Sequence, residues 1–173
     1  MDDDSFVVVD RLYDELKHTN YPSGLYWGFF DGRAPVIRGE KEKYRETEYV
    51  LCDRYIPYAL GGGYVLSANI VGFLAANAAL LKAYRAEDAS VGTWLAPLKV
   101  HRVHDTRFDT EFRSRGCANT DLVSHKQSVQ DMRSKQYSLA ARGTLCERET
   151  VARGAYEYNW KVPPSKCCPR GKI

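Results

Sequence analysis

Tyr55-Ile-Pro-Tyr-Ala-Leu-Gly-Gly-Gly-Tyr-Val-Leu-Ser-Ala-Asn-Ile-Val-Gly-Phe-Leu-Ala-Ala-Asn-Ala-Ala-Leu-Leu81 runs for 27 residues without a formal charge. That length is enough to cross a bilayer. Its punctuation argues otherwise: Pro57, Gly61, Gly62, Gly63, Ser67, Asn69 and Asn77 break the apolar run. The stretch reads as a strand and glycine turn around 55–66, then a buried helix from about Ser67 to Tyr84. Ile70, Val71, Leu74, Ala78 and Leu81 recur there at helical spacing.

Upstream, Ser5 is placed to cap a helix that carries Val9, Leu12, Tyr13 and Leu16 on one face and ends near His18. Leu25–Phe30 is an aromatic strand, and the charge-dense residues 38–48 read as a solvated loop or surface helix. Downstream, residues 86–95 read as a loop running into a short helix stopped before Pro97. Leu98–Val103 and Leu122–His125 read as strands, and Val129, Met132 and Leu139 as a helix ending at Gly143. Helices and strands alternate without a strict βαβ rhythm, so the class is α/β or α+β, within one domain for 173 residues.

Hydrophobic residues make up 44% of the chain and charged residues 27%, which excludes a disordered, collagenous or coiled-coil protein. A net charge of +3 is too small to argue for nucleic acid. The charge is uneven, however. Residues 1–88 hold fourteen Asp/Glu against ten Lys/Arg, and residues 89–173 hold eight against fifteen. One end is acidic and the other basic, which suggests that something specific is held between them. Five cysteines (Cys52, Cys117, Cys146, Cys167 and Cys168) form no C-x-x-C pair, and an odd number leaves at least one unpaired. The trio Cys146, Cys167 and Cys168 suggests a disulfide staple of an oxidising compartment, with connectivity open. No secretory signal pattern opens the sequence.

Four constellations could carry chemistry. Asp2-Asp3-Asp4 places two carboxylates on one face of an extended segment, the hard oxygen donors that suit Mg²⁺ or Mn²⁺ bearing a phosphate. A solvated acidic run is the plainer reading, and no strand precedes the triad to fix it. Gly61-Gly62-Gly63 lacks the G-x-x-x-x-G-K-S/T spacing of a phosphate loop, but allows a ligand to approach the backbone closely, or simply a tight turn. Glu87-Asp88 could supply a general base, or Asp88 could cap the next helix. His125, at the end of a short apolar strand, would move metal preference toward Mn²⁺ if it joined a carboxylate.

The order of these elements resembles the β-1,3-galactosyltransferase family, glycosyltransferase family 31. The resemblance rests on Asp2-Asp-Asp-Ser-Phe6, Leu25–Phe30, Pro57–Ser67, Glu87-Asp88, Trp94–Pro97, His104–Cys117, His125–Ser128 and Pro163–Cys168, and so runs through the chain. The Phe108–Cys117 run and the Pro-Pro-Ser-Lys-Cys-Cys ending point to the branch that acts on galactosyl-xylosyl-protein acceptors. Ala89 stands where that branch usually has Val.

The resemblance implies a GT-A-type α/β domain with a mixed sheet flanked by helices. Residues 1–173 would be its C-terminal portion, preceded in the whole protein by a nucleotide-binding half, a stem and a Golgi membrane anchor. It implies inverting, metal-dependent transfer of galactose from UDP-galactose to O3 of a galactosyl-xylosyl-protein, in glycosaminoglycan linker synthesis on proteoglycans. Asp4 and His125 would ligate Mn²⁺, with Mg²⁺ as the substitute, and Asp2 or Asp3 would reach the nucleotide ribose or a metal-bound water. Asp88 would be the base with Glu87 beside it, and Gly61, Gly62 and Gly63 would line the sugars. Two alternatives are a non-catalytic module that binds glycan or a partner, and a β-1,3-hexosyltransferase using another UDP-sugar. Nucleic acid is not expected as a partner, and membrane contact is expected only through the anchor.

Overall fold

The computed structural model describes residues 1–170. Its centre is β2 (Leu25–Asp31), which lies between β3 (Tyr58–Leu66) and β4 (His101–His104). β2 runs antiparallel to β3 and parallel to β4. Leu25 to Phe30 are all buried, the mark of a strand covered on both faces. Trp27, Phe29 and Phe30 are fully enclosed, and Trp27 meets Phe108 edge-to-face with centroids 5.1 Å apart. Each such ring contributes about 2–3 kcal/mol by leaving water.

A second sheet has the order β1 (Phe6–Val7), β7 (Val123–Ser124), β5 (Phe108–Asp109). β1 is antiparallel to β7, with Phe6 opposite Ser124. β6 (Gly116–Cys117) and β8 (Thr150–Val151) form a separate antiparallel pair. The helices are α1 (Val9–His18), α2 (Ala68–Ala76), α3 (Glu87–Leu95) and α4 (Val129–Arg142). The mixed sheet with flanking helices is an α/β architecture of the kind expected.

Several local expectations change. Gly61–Gly63 make no turn: they lie inside β3, and none of the three has a positive φ. The expected helix from Ser67 to Tyr84 breaks at Asn77, giving α2 and a 3₁₀ turn at Ala78–Leu80. That helix is not buried either. Within α2 only Ile70 is enclosed, while Val71 and Phe73 are exposed. Ser5 caps no helix; its hydroxyl donates to the Gly62 carbonyl at 2.5 Å, and α1 starts at Val9. The strand expected at Leu98–Val103 is shifted to His101–His104. Residues 38–48 are loop, but Glu46 is buried, accepting backbone hydrogen bonds from Glu48, Tyr49 and Arg85.

The cysteines also pair differently from the expected trio. Cys117 joins Cys146, Cys167 joins Cys168, and the odd thiol is the exposed Cys52. α4 is built as its sequence suggests. Ser128 and Asp131 form a reciprocal capping box, and Gly143 terminates the helix in the left-handed region. Among the described residues, no helix is long and apolar enough to cross a membrane.

Candidate active site

The register between β1 and β7 builds the first half of the site. With Phe6 opposite Ser124, the antiparallel ladder carries Asp4 alongside the residues that follow β7. The Gln127 N–H donates to the Asp4 carbonyl at 2.9 Å, and Ser5 is tied to Gly62. The acidic segment is therefore fixed from its C-terminal side, by the strand that follows it.

His125 is buried at the end of β7, and its Nε2 lies 3.2 Å from Asp2 Oδ2 and 3.0 Å from Asp4 Oδ1. One ligand atom from each of the three residues falls within 4.8 Å of the other two. Asp4 Oδ1 and His125 Nε2 are enclosed and make no hydrogen bond. Two unpartnered buried polar atoms facing each other are costly unless something is held between them. On the other side of the ring, Nδ1 lies 3.3 Å from the Thr110 carbonyl. An Nδ1–H donated there leaves the Nε2 lone pair free for a cation, the usual outer-shell arrangement of a metal-ligating histidine. The imidazole and two carboxylates suit Mn²⁺ or a similar divalent ion, so the residues fit the metal the sequence implies.

Asp2 thus stands with Asp4 and His125 among the groups that could hold an ion, whereas Asp3 lies outside that cluster. The Asp4 carboxyl sits below its ordinary range. Burial pushes it up, but the Lys126 hydrogen bond, the neighbouring His125 ring and the Lys126 charge outweigh that.

The second half of the site comes from α3. Gly92 lets this helix approach β3, because a Cβ there would lie 2.4 Å from Tyr58 Cβ. Asp88, four residues earlier, shares that face. Its Oδ2 accepts the Gly61 N–H at 2.8 Å and its Oδ1 accepts the Ala89 N–H at 2.8 Å. Burial raises the Asp88 carboxyl, the two backbone donors lower it, and the charge of Asp2 raises it again. Both oxygens keep a further lone pair, so the group can still accept a proton. Glu87 lies beside it with both oxygens 3.4 Å from the Tyr64 hydroxyl. Loss of solvent and then the neighbouring Asp88 charge push Glu87 up to about 7.

The glycines join the halves. A Cβ on Gly61 would lie 3.1 Å from Asp88 Oδ2, and one on Gly62 would lie 2.6 Å from His125 Cγ. Gly63 is packed just as closely, 2.9 Å from Val123 Cγ1. Bare backbone therefore runs between the Asp88 carboxylate and His125, and the charge of Asp2 reaches both Asp88 and Glu87.

A family sequence model described as Galactosyltransferase matches residues 1–106, which include every candidate residue except His125. The chain belongs to the galactosyltransferase family. It is 51% identical over 172 residues to the mouse (Mus musculus) protein named Beta-1,3-galactosyltransferase 6, covering 98% of this chain and 52% of that relative. It is 34% identical over 156 residues to Beta-1,3-galactosyltransferase GALT1 of Arabidopsis thaliana, covering 86% of this chain and 24% of the relative. It is likewise 34% identical over 106 residues to the human (Homo sapiens) UDP-GalNAc:beta-1,3-N-acetylgalactosaminyltransferase 2, covering 61% and 21%. The chain spans about half the length of the mouse relative and less of the others.

The charge asymmetry of this galactosyltransferase-family chain has a structural reading that differs from the expected one. Much of the basic excess is consumed internally. Arg107 pairs with Glu15 and Asp105. Arg115 pairs with Asp109 at 3.1 Å and stacks over Phe29, and Arg153 and Arg170 converge on buried Glu111. The cation that reaches the acidic cluster is Lys126, its Nζ 3.1 Å from Asp4 Oδ2. Lys126, Tyr64 and Thr110 were not singled out from the sequence. For Lys126 the available signal was its position next to His125.

Proposed function

We propose that these residues form the catalytic centre of an inverting β-1,3-galactosyltransferase that moves galactose from UDP-galactose to the O3 hydroxyl of a galactosyl-xylosyl-protein acceptor. The observation carrying this reading is that Asp2, Asp4 and His125 face Asp88 across the side-chain-free Gly61–Gly62 backbone. Asp2, Asp4 and His125 would hold Mn²⁺, which when bound offsets the negative charge developing on a departing diphosphate. Asp88 is the base that removes the acceptor proton as the hydroxyl oxygen attacks from the face opposite the leaving group. Its bonds to the Gly61 and Ala89 N–H groups fix the carboxylate plane, and Gly61 lets a sugar ring lie against it. Glu87 keeps a proton near neutrality, so a second full negative charge does not compete with Asp88. The Golgi lumen is the proposed setting.

The test measures transfer from UDP-galactose to a galactosyl-xyloside with and without Mn²⁺. Asp88→Asn is expected to lower the rate by about 10²–10⁴-fold, and an unchanged rate would sink the base assignment. A second reading keeps the chemistry and changes the sugar, because one similar relative is named for UDP-GalNAc. A donor screen with the same acceptor separates the two.

A further inference from the structure

We propose that Lys126 is a diphosphate-binding residue which, without substrate, is parked on the metal ligand Asp4. This rests on the reading of Asp2, Asp4 and His125 as a cation site. Among the described residues, Lys126 is the only non-glycine with a positive φ, at 60°. Few L-residues adopt that conformation without cause, and such positions gather at functional sites. Its consequence here is specific. In a regular strand, consecutive side chains point to opposite faces. The left-handed turn at Lys126 lets both His125 and Lys126 reach the same carboxylate. His125 Nε2 faces Asp4 Oδ1 at 3.0 Å, and Lys126 Nζ meets Asp4 Oδ2 at 3.1 Å.

Packing does not require this arrangement. The Lys126 side chain is 42% exposed and Asp4 is its one ion-pair partner among the described residues. The loop around it is held independently, by the Gln127 N–H on the Asp4 carbonyl and Gln127 Nε2 on the His125 carbonyl. The ammonium is thus a partly exposed point charge at the rim of the cation site. A divalent ion there would draw on the same carboxylate and carry phosphate oxygens in its open positions. Lysine on a flexible stem is a common partner for such oxygens. Binding of a nucleoside diphosphate would therefore move Lys126 from Asp4 to the diphosphate.

This exchange gives the two ligands opposite responses to one substitution. Calorimetry of the chain with MnCl₂ alone, then with UDP at saturating Mn²⁺, reads both. For Lys126→Ala, Mn²⁺ alone is expected to bind about two- to fivefold tighter, since an exposed competing ion pair is gone. UDP is expected to bind about tenfold more weakly, having lost one charge-assisted hydrogen bond. Lys126→Arg recovers most of the UDP affinity. Lys126→Gly, which relieves the backbone, behaves as Lys126→Ala. Loss of Mn²⁺ and UDP affinity together would make Lys126 a prop for Asp4 and overturn the proposal, as would UDP affinity unchanged in Lys126→Ala. Absence of Mn²⁺ binding by the unsubstituted chain would overturn the cation-site reading and this assignment with it, whereas Mn²⁺ binding without any UDP binding would overturn this assignment alone. That failure shows before any variant is compared.

Discussion

Gly62→Ala tests how the two halves of the site are joined. The new Cβ would lie 2.6 Å from His125 Cγ, 2.7 Å from Nδ1 and 2.9 Å from His125 Cβ, where ordinary contact begins at 3.4 Å. The shortfall at Cγ is about 0.8 Å. Turning the ring does not relieve it, because His125 Cβ is itself too close and the end of β7 must shift. That shift pulls on the His125 N–H bond to the Asp109 carbonyl, at 2.9 Å, and on the Nδ1 contact with Thr110. Overpacking of this kind costs about 1–3 kcal/mol, a fall of roughly 2–10 °C in Tm for a domain of this size. Moving the ring and its outer-shell partner should also weaken Mn²⁺ binding by about 10–100-fold. Differential scanning fluorimetry and Mn²⁺ calorimetry measure the two effects. Gly72→Ala is the control: a Cβ there meets nothing within 4 Å, and the helix interior should gain about 0.5–1 kcal/mol. A Gly62→Ala protein with wild-type Tm and Mn²⁺ affinity would refute the claim that bare backbone is needed against His125.

The remaining predictions concern charge and cross-links. In the folded chain Glu87 keeps its proton up to about 7, against 4.5 ordinarily, so stability is lost as pH rises between those values. Glu87→Gln should remove that slope, a gain on the order of 1 kcal/mol at pH 8 after allowing for solvent screening, read by urea titration at pH 5 and pH 8. His104 accepts from the Phe30 N–H through Nδ1 and donates through Nε2 to the Tyr156 carbonyl, and burial holds it below its usual 6.5. Stability should therefore fall as pH drops below about 6.5, where the unfolded chain protonates first. His104→Phe should flatten that acid limb but cost about 1–3 kcal/mol by orphaning the Phe30 N–H. Replacing Cys117 and Cys146 by Ser opens a loop with 29 residues of sequence separation. It should cost about 3–4 kcal/mol in the chain-entropy account, and an unchanged denaturation midpoint would contradict the cross-link.

How far the sequence could be read depended on whether a feature was local. The all-buried Leu25–Phe30 strand and the end of α4 at Gly143 follow from an apolar run and a terminal glycine, and each stands close to where the sequence puts it. The misreadings share a different cause. Gly61-Gly62-Gly63 looks like a turn because glycine's usual role is a local backbone freedom, yet here it serves distance: Asp88, His125 and Val123 crowd the strand from elements far away in sequence. Ser5 looks like a cap because a serine before a helix usually is one, but its partner is Gly62. The exposed flank of α2 shows the same limit, since apolar spacing says which residues share a face and not what covers that face.

The acidic triad carries this argument to the site itself. The strand that orders Asp2–Asp4 lies after them in the chain, and a free acidic run would be a poor metal site because ordering it would cost conformational entropy. The ladder between β1 and β7 removes that objection after the fact, placing Asp4 beside His125 across a separation of 121 residues. Nothing in the spacing of the two residues encodes this. It comes from Phe6 and Val7 pairing with Ser124 and Val123. A substitution that breaks the pairing without touching any ligand, such as Val8→Pro, removes the Val8 N–H that donates to the Leu122 carbonyl at 2.9 Å and should weaken Mn²⁺ binding as strongly as His125→Ala. Calorimetry showing intact Mn²⁺ affinity in Val8→Pro would mean that the acidic segment is ordered by something other than β1.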